Sequence, residues 1–297
     1  MTTRSRKAGL SIVICAAMAY IAAPGVGPGM SRAANVAEGD PKASTSGPMS
    51  AVIGIDPDQL TCFIGGAADG KLIGAADLAD RLRDGQSYRL FDLTGETGKT
   101  IAIGAPIHEG GSGECADLWR QDLSLDPRDS GGLAAAIHLP PGAAPLPEPL
   151  ELIAEPLAEH VELLRRFLSR RDITEPRPNI IQSIRTDLEG DGTIDYILNA
   201  VRVGEDHAEA GDHSIMVMVR GEGRAQRTFI IQEEFDISES PYSSTLWVNK
   251  IAAVADVDGD GIAEIITEGG YIYGGGWELI HWDGNGFEHI LFCGCDG

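Results

Sequence analysis

Asp187-Leu-Glu-Gly-Asp-Gly-Thr-Ile-Asp195 and Asp256-Val-Asp-Gly-Asp-Gly-Ile-Ala-Glu264 are two versions of one nine-residue loop. Carboxylates stand at loop positions one, three, five and nine: Asp187, Glu189, Asp191 and Asp195, then Asp256, Asp258, Asp260 and Glu264. Gly192 and Gly261 occupy position six, where a residue free to turn sharply points alternate side chains inward. Four carboxylates in nine residues repel one another unless a cation lies among them. A hard cation that takes six to eight oxygen ligands fits best, which points to Ca²⁺. The carbonyls of Thr193 and Ile262, at position seven, would add a backbone oxygen.

The flanks decide the fold class. Tyr196-Ile-Leu198 and Ile265-Ile-Thr267 are β-formers, so each loop joins two strands. An EF-hand needs a helix on each side and a Glu at position twelve, where this chain has Leu198 and Thr267. Working outward, period-two alternation predicts strands at 180–186, 194–203, 214–220, 227–232, 246–255, 262–267, 277–282 and 287–292. Gly221-Glu-Gly223 and Asp283-Gly-Asn-Gly286 supply hairpin turns, and Gly274-Gly-Gly276 reads as another. At this spacing Tyr271, Tyr273, Trp277 and Trp282 read as core or cross-strand pairs rather than a sugar platform.

DLEGDGTIDYIL and DVDGDGIAEIIT resemble the loops of FG-GAP/VCBS-type repeats, the units of integrin-α-like propellers. The stretch 277–287, with Trp282-Asp-Gly before an aromatic, is similar to the closing hairpin of such a blade. The resemblance covers residues ~180–292 and implies Ca²⁺, one or two structural ions, at the eight carboxylates named. Glu189 and Glu264 depart from the commoner Asp. A propeller usually takes four to eight blades, and two do not close one. The expected fold is therefore mainly β with a mixed α/β N-terminal part. Its two four-stranded repeats (179–297) form a small sandwich or an incomplete propeller.

Upstream, residues 1–37 read as a signal peptide. Arg4, Arg6 and Lys7 precede an uncharged apolar run from Ala8 to Ala23, and small residues follow. That run is shorter than the ~20 residues of a membrane-spanning helix, so no span remains after cleavage. Export, periplasmic or extracellular, favours disulfides. Cys62, Cys115, Cys293 and Cys295 are the candidates, with Cys62–Cys115 the first choice and Cys293–Cys295 a tight second pair, one or both closed. Residues 38–50 read as a polar linker and 51–138 as a small α/β domain. That domain has strands at 59–64, 71–74, 87–93 and 100–103 and a helix at 75–82. Five prolines between Pro140 and Pro149 mark 139–149 as a connector. Residues 150–178 hold one helix beginning at Pro156, with Leu157, Val161, Leu164 and Leu168 on its apolar face and His160 on the surface.

The composition narrows function. The chain has 297 residues and a formal net charge of −22, from 45 acidic against 23 basic side chains. Phosphate backbones and anionic membranes need the opposite sign. No H-E-x-x-H spacing exists, and Gly110-Gly-Ser-Gly-Glu114 lacks the last Gly of a nucleophile elbow. The main expectation is a calcium-stabilised binding module for a protein or carbohydrate. One alternative is a secreted hydrolase with its site near His108, Glu109 and Asp117 or between the domains. The other is an acidic inhibitor or chaperone of a basic partner.

Overall fold

The computed structural model describes residues 48–57, 61–110, 118–144, 146–204, 211–221, 226–235, 246–271 and 274–295. The first part of the chain forms β1 (Met49–Ile55), β2 (Cys62–Ala68), β3 (Lys71–Gly74), α1 (Ala75–Ala79), β4 (Gln86–Asp92) and β5 (Gly95–Ile103). A short ribbon follows, of β6 (Ile107–His108) with β7 (Trp119–Arg120), and then β8 (Ala134–His138). These give a six-stranded sheet in the order β3-β2-β1-β8-β4-β5. The Asp69-Gly70 turn joins β2 to β3 with both residues at positive φ, as a two-residue hairpin requires.

β9 (Leu150–Leu152) and α2 (Ala158–Ser169) lead into the two repeats. β10 (Ile180–Thr186), β11 (Asp195–Arg202), β12 (His213–Arg220) and β13 (Arg227–Phe235) form an antiparallel meander, with β9 added at the β10 edge. β14 (Val248–Ala255), β15 (Glu264–Tyr271), β16 (Gly274–Trp282) and β17 (Phe287–Cys295) form the second meander. All eight strands expected from the alternation are present, and each repeat is a four-stranded unit. Among the described residues no sheet closes into a barrel. Among the described residues no helix is long and apolar enough to cross a membrane.

The sheets stack. α1 contributes Leu78 and Ala79 to a core with the outer face of the six-stranded sheet. The inner face of that sheet, through Val52, Phe91 and Ile137, packs on Ala253, Trp277 and Leu279 of the second repeat. The other face of the second repeat, with Ile265, Ile280 and Trp282, packs on Ile184, Ile197 and Met218 of the first repeat. The outer face of the first repeat is covered by Leu164 and Leu168 of α2. The second repeat is thus covered on both faces. β14 and the first half of β15 are buried along most of their length for that reason, whereas β17 at the sheet edge stays mostly exposed or half-buried. Each fully buried large side chain contributes about 1.5–3 kcal/mol. Residues 45–297 form one compact unit.

Several expectations are corrected. β1 begins inside the stretch read as linker, and β8 in a stretch given no element, yet the two lie side by side at the centre of their sheet. Gly274-Gly275-Gly276 open β16 rather than form a turn. A Cβ on Gly276 would lie 2.6 Å from the Phe292 ring, so the glycine lets that ring lie across the strand. The cysteines also pair differently. Cys62 of β2 bonds Cys293 of β17, with Cα atoms 6.0 Å apart and a sequence separation of 231. Cys62–Cys115 and Cys293–Cys295 are therefore both overturned. The physical reason is the stacking, which brings β2 against β17. Cys293 and Cys295 sit two apart on one strand, so their side chains point the same way and do not converge. Cys295 is disulfide-bonded too, and Cys115 lies outside the described residues.

His160 is a further correction. It is 1 % exposed, whereas Leu157 is 40 % exposed. The buried stripe of α2 runs through 160, 164 and 168, and the His160 ring meets Tyr196 edge-on with centroids 4.6 Å apart. Among the described residues its Nδ1 has no hydrogen-bond partner. Desolvation by burial lowers its pKa, against a smaller opposing pull from Glu159. A histidine held neutral in the fold leaves the unfolded state binding more protons near its ordinary pKa of about 6.5. The stability it contributes is present above that pH and is lost as pH falls through the lowered folded value. His160→Phe should therefore gain stability relative to the parent as pH falls from about 7 to 5. Thermal melts of both proteins across that range test this, and parallel pH curves would refute it.

Candidate metal centre

The two acidic loops are built alike. In the first, Asp187 accepts from the N–H groups of Asp191 (3.2 Å) and Gly192 (2.7 Å), and Asp191 from Thr193 N–H (2.7 Å). In the second, Asp256 accepts from Gly259 (2.7 Å) and Gly261 (3.1 Å), and Asp260 from Ile262 N–H (2.7 Å). Gly192 and Gly261 adopt φ of 86° and 94°, the left-handed turn that position six requires. The residue at position two, Leu188 or Val257, enters the core and anchors the loop. Position nine closes it. Asp195 accepts from Leu188 N–H (3.4 Å) and Glu264 from Val257 N–H (2.8 Å), and both carboxyl groups are fully buried.

The loops lie side by side at one end of the paired repeats. Ala263 N–H donates to the Leu188 carbonyl at 2.8 Å, and the Trp282 indole N–H donates to Glu189 Oε1 at 2.9 Å. Glu189, the longer residue at position three, thereby spans the two repeats.

Their charges are answered differently. In the first loop Arg220 pairs with Glu189, with Asp191 at 3.0 Å and with Asp195 at 3.6 Å. The Arg220 side chain is itself four-fifths buried. Register explains its position, because Arg220 on β12 stands directly opposite Asp195 on β11. In the second repeat Ile280 stands opposite Ile265, so the next residue out, His281, meets Glu264. His281 Nδ1 lies 2.8 Å from Glu264 Oε1. Burial drives the Glu264 carboxyl well above the ordinary range, while the Val257 N–H and His281 pull it down.

That arrangement leaves Asp256, Asp258 and Asp260 as a group. One oxygen from each lies within 4.8 Å of the others. Burial raises the Asp256 and Asp258 pKa values, and repulsion from Asp260 adds to both. The donor set is all oxygen, which suits a hard divalent cation. Of the ten residues expected to ligate, Asp256, Asp258 and Asp260 are brought together, with Ile262 beside them in the same loop. The Glu264 carboxylate turns to the protein's own donors. Asp187, Glu189, Asp191, Thr193 and Asp195 form the loop that Arg220 fills. The residue reasoning from sequence missed is Arg220, since a strand-end arginine carries no local signal of what it will face.

The second loop also borders a cleft of about 330 Å³ shared with Ser50, Ala67 and Leu139 of the N-terminal part. Among the described residues, the N-terminal candidates form no comparable cluster. Glu109 pairs with Arg120, and the His108 ring lies 4.8 Å from that of Trp119. Ser112 and Asp117 lie outside the described residues. Trp277 and Trp282 are buried in the cores, as their strand spacing suggested, and Tyr273 lies outside the described residues. Searches of protein-family models, of curated proteins and of solved structures find no significant match to this chain.

Proposed function

We propose that this chain is an exported β-repeat protein of the FG-GAP/VCBS kind. In this reading it is a binding module whose second acidic loop carries one structural Ca²⁺. The observation that carries the reading is the convergence of Asp256, Asp258 and Asp260 in the loop whose arginine counterpart is replaced by a histidine already engaged by Glu264. Those three carboxylates, with the Ile262 carbonyl, would hold the ion. Bound there, Ca²⁺ supplies charge neutralisation and fixes the turn between β14 and β15. The buried Cys62–Cys293 bond supports export, because disulfides persist outside the cytosol. The net charge of −22 disfavours nucleic acid and anionic membrane as partners and suits a Ca²⁺-rich exterior.

At roughly 10 mM Ca²⁺ and a Kd of about 10⁻⁴–10⁻³ M, binding to the folded state stabilises it by about 1.4–2.7 kcal/mol. Calorimetry is expected to find a single site, and a chelator should reverse the rise in melting temperature. Asp260→Ala should abolish both effects, whereas Asp191→Ala in the arginine-filled loop should leave them. A melting temperature indifferent to Ca²⁺ and chelator would overturn the metal assignment.

A further inference from the structure

At the strand ends opposite the acidic loops, the interface between the two repeats changes character. The core of Ile265, Ile280 and Trp282 gives way to amides. Asn199 Nδ2 donates to Gln182 Oε1 (2.9 Å) and to the Asn249 carbonyl (2.7 Å). Asn249 Oδ1 accepts from the Trp247 indole N–H at 2.7 Å, and its Nδ2 donates to Gln232. This network opens into a cleft of about 390 Å³ lined by Gln232, Glu234, Trp247, Glu278, His289 and Phe292.

Two aromatic rings form its apolar walls. Trp247 is half-buried, Phe292 is 46 % exposed, and their centroids lie 6.3 Å apart. Two carboxylates share the cleft. Glu278 is answered internally, because His289 Nδ1 lies 3.0 Å from its Oε2. His289 Nε2 lies 3.0 Å from the Ile231 carbonyl. Both neighbours are acceptors, and the hydrogen bond to the Glu278 carboxylate raises the His289 pKa, which favours the doubly protonated ring. Glu234 has no such counterpart among the described residues. Its hydrogen bond is from the Trp247 backbone N–H, at 2.7 Å.

We propose that this cleft binds a cationic head group on an alkyl stem, an ammonium or guanidinium seated on Glu234 and flanked by the Trp247 and Phe292 rings. A cation between a carboxylate and aromatic faces gains from both, and the stem covers apolar wall that is otherwise wet. The surplus of 45 acidic over 23 basic side chains draws such a ligand toward the surface. Burial, with repulsion from Glu278, raises the Glu234 pKa, and a bound cation relieves both. A neutral sugar would gain the ring contacts and leave that repulsion in place. The inference does not depend on the Ca²⁺ assignment.

The test is tryptophan fluorescence and heteronuclear NMR of the full chain during titration with cadaverine, a lysine-containing hexapeptide or maltohexaose. Cadaverine or the peptide is expected to quench the emission and to shift the Trp247 indole resonance. Binding of cadaverine alone identifies a free amine as the source, and binding of the peptide alone identifies a partner's side chain. Both should weaken at high salt. Glu234→Gln keeps an acceptor for the Trp247 N–H, so the fold should hold, and it should weaken binding by about ten-fold or more. Three results would each overturn the proposal: no response to either cation, equal binding by Glu234→Gln, or a response to maltohexaose instead.

Discussion

Arg220→Met is expected to lower stability by about 3–5 kcal/mol, the range found when one partner of a buried pair is removed. The reason is Asp195, which is fully buried with one carboxylate oxygen that no hydrogen bond from the described residues satisfies. Burial pushes its carboxyl up to about 6, and Arg220 pulls against that shift. Without the guanidinium the folded state disfavours the charged carboxylate further. The sign follows: a carboxyl whose folded pKa is raised costs stability as pH rises through that value, so the Arg220→Met deficit should shrink on acidification. Asp195→Asn in the same background should restore part of the loss. The variant also separates the two loops. Removing Arg220 leaves Glu189, Asp191 and Asp195 without their cation. On the calcium proposal, calorimetry should then find two Ca²⁺ per chain against the single ion expected for the parent. Denaturant melts at two pH values and a Ca²⁺ titration check all of this. A loss below about 1 kcal/mol would show that Arg220 behaves as an ordinary surface charge.

The double substitution Cys62→Ser with Cys293→Ser should cost about 2–5 kcal/mol. Both cysteines are buried, at 5 % and 6 % exposure, and their bond closes a span of 231 residues. In the chain-entropy account a long closed loop restricts the unfolded ensemble most, so the effect acts largely through that state. The denaturant slope should accordingly steepen as the unfolded chain expands. Changing both residues avoids leaving Cys293 as a thiol two positions from the disulfide-bonded Cys295. The bond also ties the N-terminal sheet to the second repeat. Its loss should therefore raise hydrogen exchange first in β2 and β17, the strands it joins. A change in midpoint within experimental error would argue that packing alone holds the sheets together.

The repeats were legible because their signals are local. Alternation of period two marks a strand wherever one of its faces keeps polar side chains. Asp-x-Asp/Glu-Gly-Asp-Gly marks a loop because the turn, the backbone donors and the carboxylates all lie within nine residues. Asp195 and Glu264 were recognised by the same spacing, yet their role as internal acceptors needed the fold. β1 and β8 were missed for a stated reason. Ala51-Val-Ile-Gly-Ile55 and Ala134-Ala-Ala-Ile-His138 do not alternate, because strands at the centre of a sheet buried on both faces have no polar side to show. Alanine has little β-propensity of its own, and only the close approach of neighbouring layers makes it suitable there.

By itself the sequence therefore determined the class of fold, the eight strands of the repeats and the paired acidic loops. Those follow from forces between residues near one another in the chain. Tertiary structure alone decided that the second repeat is the central layer, that Cys62 meets Cys293, and that Arg220 fills one loop while the other keeps three converging aspartates. Each of these joins residues from different strands or sheets. No spacing encodes which arginine will stand opposite a buried aspartate, because strand register fixes it, and the packing of whole faces fixes register.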